Sequence, residues 1–148
     1  MHVHPDPNPP ASSTVLGDWY ANLLRIGKQQ LILCVSERTL LPVVLPAVDA
    51  KMLARRLPDA VSDVLEALGV PASAIDREMR EMQEATIGRT VNRSVVGMMT
   101  DFAFAVPYRR DNESLTGLAL RLAETPCKPI KMNSPDRETK AAFADALH

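Results

Sequence analysis

A chain of 148 residues, 46% hydrophobic and 24% charged, is long enough to bury one core and too apolar for wholesale disorder. Its formal net charge of -1 gives no single-sign field to draw it onto duplex nucleic acid or an anionic membrane surface, so any anion site must be local. The longest apolar run, LILCV, is too short to cross a bilayer.

Residues 1–14 combine His2, His4, four prolines and small polar side chains, a composition that cannot offset its ordering entropy by burial. They are expected to form a flexible Pro-rich arm, with residues 15–148 as a single α+β domain. The arm has neither a basic n-region nor an apolar h-region, and Cys34 and Cys127 lie far apart, so a reducing cytoplasm is the expected compartment.

Three extended segments follow: WYANLLRI, QQLILCVS and TLLPVVLP, with turns at Gly27–Lys28 and Glu37–Arg38. They predict an antiparallel meander. In its middle strand Leu31, Leu33 and Val35 share one face and Ile32 and Cys34 the other, so both faces should be covered. Pro42 cannot donate to a ladder and assigns the third strand to an edge or a bulge.

Asp49 is the expected cap of a helix carrying Leu53, Leu57, Val61, Val64, Leu65 and Leu68 on one stripe and stopping at Gly69. Pro58 should kink this helix or start a second one. The next helix, ASAIDREMREMQE, shows only a narrow stripe of Ile75, Met79 and Met82 and is expected at the surface. ATIGRTVN reads as extended, a candidate fourth strand. SVVGMMTDFAFAV reads as a helix built on Val95, Met98, Met99, Phe102 and Val106, ended by Pro107. Leu115, Leu118, Ala119 and Leu122 make a further amphipathic helix, and Ser134, Pro135 and Asp136 start the last one. Strands first and helices afterwards predict an α+β fold, a small antiparallel sheet packed against four to five helices.

The sharpest local chemistry is IGRTVNRS. It brings Arg89, Thr90, Asn92, Arg93 and Ser94 to the start of a helix, where free backbone N–H groups and the positive dipole end favour an anion and guanidiniums suit phosphate or carboxylate. Asp101, two turns on, and Arg38 are the supporting residues, and a buried Asp101 would need Arg38, Arg89 or Arg93 as its partner. The competing reading is architectural, with Asn92 or Ser94 capping the helix and the arginines tied to carboxylates. No histidine lies between His4 and His148, which removes Ser-His-Asp, Cys-His and most catalytic metal sites. Cys127 therefore lacks a base, and Asp18, Glu37 and Asp101 are scattered carboxylates. No cofactor or metal is expected. Trp19 and Tyr20 point to opposite strand faces and form no stacking platform for single-stranded nucleic acid.

The segments LGDWYANLL, SERTLLPVVLP, IGRTVNRSVVGMMTDFAF, LRLAETPC and SPDRET resemble a family of small uncharacterised bacterial proteins, a domain of unknown function. The most specific likeness is to an N-R-S-V-L-G-S-M-N-D-F motif, carried by Asn92, Arg93, Ser94, Val95, Gly97, Met99, Asp101 and Phe102, with Met98 and Thr100 where the pattern has serine and asparagine. The resemblance implies an extra strand and helix before the first matched segment, which would make this chain a shortened version with one sheet edge exposed. Such an edge invites another protein chain or a second copy.

The function expected from these readings is a non-enzymatic binding or regulatory module, with protein contacts and an anion site at the Arg89 to Ser94 turn. The alternatives are an enzyme acting on a phosphate ester or nucleotide through arginine and carboxylate groups, and a purely architectural motif in a protein-interaction domain.

Overall fold

The computed structural model of the chain describes residues 14–82, 87–88, 93–105 and 110–146. The arm before Thr14, with His2 and His4, lies outside these residues, as do Arg89, Thr90, Asn92, Val106 and Pro107. Four strands, β1 (Trp19–Ile26), β2 (Gln29–Ser36), β3 (Pro42–Pro46) and β4 (Ile87–Gly88), form one sheet in the order β3-β2-β1-β4. Five α-helices are described: α1 (Ala50–Ala67), α2 (Ala72–Met82), α3 (Arg93–Ala105), α4 (Leu115–Leu122) and α5 (Pro135–Ala146). The class is α+β. β1, β2 and β3 are the antiparallel meander, whereas β4 runs parallel to β1, pairing Trp19 with Ile87 and Tyr20 with Gly88.

Alternation decides the sheet. Leu31, Leu33 and Val35 are buried on one face of β2 and Ile32 and Cys34 on the other, so the central strand has no wet side. Pro42 opens β3 at the sheet edge, where its missing N–H costs no ladder bond. α1 and α4 pack on β3, α3 packs on β1 and β2, and α2 leans on α1.

Asp49 caps α1, its carboxylate accepting from the Met52 N–H at 2.8 Å, and Gly69 follows the helix end at φ +85°. Pro58 neither stops the helix nor starts another: α1 runs unbroken for 18 residues. Leu57 and Val61 flank it and are buried, with Val64 and Leu65 one turn on. Fully burying such side chains is worth about 1.5–3 kcal/mol each, enough to offset one missing backbone bond.

Two sets of hydrogen bonds fix α5 and the entry to β1 against the β2–β3 turn. In the β2–β3 turn the Thr39 hydroxyl lies 3.1 Å from that of Ser36 and 2.8 Å from that of Thr139 in α5, while Ser36 Oγ accepts from the Leu41 N–H at 3.0 Å. All three hydroxyl residues are buried, so this chain ties α5 to the sheet. The same turn holds the entry to β1: Glu37 N–H donates to the Asp18 carbonyl at 2.8 Å and Arg38 N–H to that of Leu16 at 3.1 Å. Gly17 sits between them at φ +79°, and a Cβ there would stand 2.9 Å from Arg38 Cγ. Glycine is required twice over, for the left-handed backbone and for the close approach.

Candidate functional site

The strand-to-helix junction exists where the sequence expects it. β4 ends at Gly88 and α3 begins at Arg93, so Arg93 and Ser94 open a 13-residue helix whose first-turn N–H groups have no partner within the helix. Arg89, Thr90 and Asn92 lie outside the described residues. Trp19, the register partner of Ile87, is fully buried, and its indole Nε1 is a donor with no partner among the described residues. Buried donors in folded proteins almost always have a partner, so this orphan beside β4 calls for an explanation.

The supporting residues separate. Asp101 is exposed, so it needs no buried arginine partner, and its negative field reaches Cys127. Arg38 instead turns to the entry segment: its Nη1 donates to the Thr14 carbonyl at 2.6 Å, and its charge acts on Glu78. Met98 and Thr100 differ in what they do. Met98 is core, whereas the Thr100 hydroxyl is exposed and donates back to the Val96 carbonyl at 3.2 Å. Asp18, Glu37 and Asp101 form no metal cluster, and no group of three or more His, Cys, Asp or Glu that could hold an ion occurs among the described residues.

Sequence reading missed the most buried acid among the described residues. Glu78, only 2% exposed, accepts from the Val15 N–H at 2.8 Å and the Leu16 N–H at 3.1 Å. Burial pushes its carboxyl above the ordinary glutamate range, against the pull of those N–H groups and of Arg38, while Glu81 adds a further upward push. The available signal was helical spacing: Ala74, Ile75, Glu78 and Met82 are the buried face of α2, and Met79, expected in the stripe, is only half-buried. A lone glutamate among apolar stripe positions is a candidate for burial, not a break in the stripe.

Glu78 lies at a cleft of about 440 Å³ between α2, α5 and the Thr14–Leu16 turn. Arg38, Arg77, Glu81 and Asp145 bring both charge signs to its walls, and Phe143 with Ala74 supplies apolar lining.

The Glu78 shift fixes a pH dependence. A carboxyl whose folded pKa is raised binds more protons in the native state, so its contribution is fully present below the unfolded value of 4.5 and is lost as pH rises through the folded value. Glu113, held low by hydrogen bonds from Arg121 at 2.6 Å, has the opposite sign and loses its contribution on acidification. Denaturant midpoints measured across the acid range should therefore fall less with rising pH in Glu78→Gln than in the wild type. In Glu113→Gln they should fall less with acid. An unchanged slope in Glu78→Gln would contradict the first assignment.

Both thiols are poor nucleophiles. Burial pushes Cys34 up to about 12, and burial with the Asp101 charge pushes Cys127 up to about 11.

The family described as Domain of unknown function (DUF6933) matches residues 1–138. No curated protein and no solved structure matches the chain.

Proposed function

For this chain, which belongs to the DUF6933 family, we propose a role as a binding module that acts through contacts and holds an anion at the Arg89 to Ser94 turn. The observation that carries the reading is the unpartnered indole N–H of Trp19, the residue of β1 that pairs with Ile87 in β4. An anion at a helix start gains from N–H donors, from the dipole and from guanidinium charge together. Arg89 and Arg93 supply the charge, Thr90, Asn92 and Ser94 the neutral polar groups, and Trp19 a further donor.

Binding is favoured over chemistry by how the reactive groups are used. Glu78 is spent on two backbone N–H groups, Ser36, Thr39 and Thr139 on one another, and both thiols are held protonated. The enzyme reading, an arginine-and-carboxylate site for a phosphate ester or nucleotide, is separated by incubation with the monoester p-nitrophenyl phosphate or with ATP and magnesium. Either compound is expected back intact, while inorganic phosphate raises the melting temperature of the wild type. That rise should be about tenfold less sensitive to phosphate concentration in Arg93→Ala. Turnover that disappears in Arg93→Ala would overturn the binding reading in favour of the enzyme. If Arg93→Ala lowers stability and leaves the phosphate response intact, the turn is architectural.

A partner surface is favoured by the shortness of β4. It pairs only with Trp19 and Tyr20, so no described strand covers the outer edge of β1 from Asn22 to Ile26, and Leu23 is 66% exposed there. A second copy pairing along that edge is the partner reading, although Asn22 Oδ1 already accepts from the Leu23 N–H at 2.9 Å. Light scattering should then give twice the 16.2 kDa chain mass, reverting to the single mass in Leu23→Lys. A wild-type monomer at high concentration contradicts it.

A further inference from the structure

The cleft between α2, α5 and the Thr14–Leu16 turn is separate from the β4–α3 junction and shares none of its residues. We propose that it binds a small dipolar molecule carrying one ammonium and one carboxylate, an amino acid or short peptide. Its volume of about 440 Å³ falls in the range of small-molecule sites. The lining supplies what such a ligand needs and in both signs: Arg77 for a carboxylate, Asp145 for an ammonium, and an apolar surface of Ala74, Ala142 and Phe143 for the part between or beside them.

Two features make this more than a charged patch. Arg77 and Asp145, on different helices, are exposed, and the side chain of neither forms a hydrogen bond or ion pair among the described residues, so both charges are open to a ligand. Around them the cleft is held in shape. Glu78 binds the Val15 and Leu16 N–H groups, Arg38 binds the Thr14 carbonyl, and Thr139 anchors α5 to the sheet through Thr39. A preformed cleft spends little binding energy on ordering itself. The small side chains Ala74, Ala142 and Ala146 leave the space.

The test is a titration of the full chain, read by amide chemical shifts, with the amino acids and glycine-containing dipeptides as dipolar probes. Methylammonium and acetate serve as the two single-charge halves. The proposal expects saturable shifts confined to the cleft, at residues 14–15, 38, 74–81 and 142–146, with a Kd of about 1 mM or tighter for at least one dipolar probe. Each half should bind at least about tenfold more weakly, as should the dipolar probe to Arg77→Gln and to Asp145→Asn. Both substitutions are at exposed positions, so the melting temperature without ligand should stay within a degree or two of wild type, about the size of a surface change. Arg93→Ala should bind the dipolar probe as the wild type does, which keeps this result independent of the anion site. No saturable shift with any dipolar probe, equal binding of either half, or unchanged binding in both cleft variants overturns it.

Discussion

Glu78→Ala is expected to cost about 3 kcal/mol, a fall in melting temperature of roughly 6–12 °C. The reason is what the carboxylate does. Val15 and Leu16 donate to it at 2.8 and 3.1 Å, and Leu16 is fully buried, so alanine would strand two N–H groups with little access to water. Each stranded group costs about 1–3 kcal/mol, and part of that is returned because a desolvated acid is no longer buried. Glu78→Gln keeps one oxygen acceptor but points an NH₂ group at the second donor, so it should lose less than alanine does. Chemical denaturation of the three proteins at neutral pH measures this order. A loss below about 1 kcal/mol in Glu78→Ala would mean that the entry segment does not depend on the clamp.

Phe102→Ala should cost about 3–5 kcal/mol, whereas Phe104→Ala on the same helix should stay within about 0.5 kcal/mol of wild type. The two rings sit two residues apart on α3. Phe102 is fully buried with Val95, Met98 and Met99 on the face that meets β1 and β2, and Phe104 is 80% exposed. Removing the first leaves a cavity that close-packed neighbours fill only in part. The same denaturation curves measure both variants, and equal losses would contradict the placement of α3.

How far the sequence carried the fold follows from the kind of signal each element leaves. β1, β2 and α1 announce themselves through short apolar runs and a helical stripe, with Gly27, Asp49 and Gly69 as punctuation, and the structure has them at those bounds. Pro58 was ambiguous, because propensity counts only its missing N–H while Leu57, Val61, Val64 and Leu65 carry the packing that keeps α1 whole. β4 is two residues long and pairs parallel to β1, a relation that local pattern cannot express.

The candidate sites divide in the same way. The junction at Arg93 was legible because a polar, basic turn between an extended segment and an apolar helix is a local feature. The Glu78 cleft was not, since it is assembled from Thr14, Arg38, Arg77 and Asp145, residues brought together only by folding. The hydroxyl chain is the extreme case: Thr39 and Thr139 meet 100 residues apart. Arg38, read as support for Asp101, is drawn to Thr14 and Glu78 because the β2–β3 turn is bonded to the Leu16–Asp18 segment.

Trp19 is the chain's one tryptophan and adjoins β4, so its fluorescence reports directly on the proposed anion turn. Titration of inorganic phosphate into the wild-type chain at low ionic strength should change that emission saturably. The change should weaken about tenfold in Arg93→Ala, as expected for loss of one charge-assisted contact. An emission that does not move with phosphate, or that moves identically in Arg93→Ala, would contradict the anion site on which the binding reading rests.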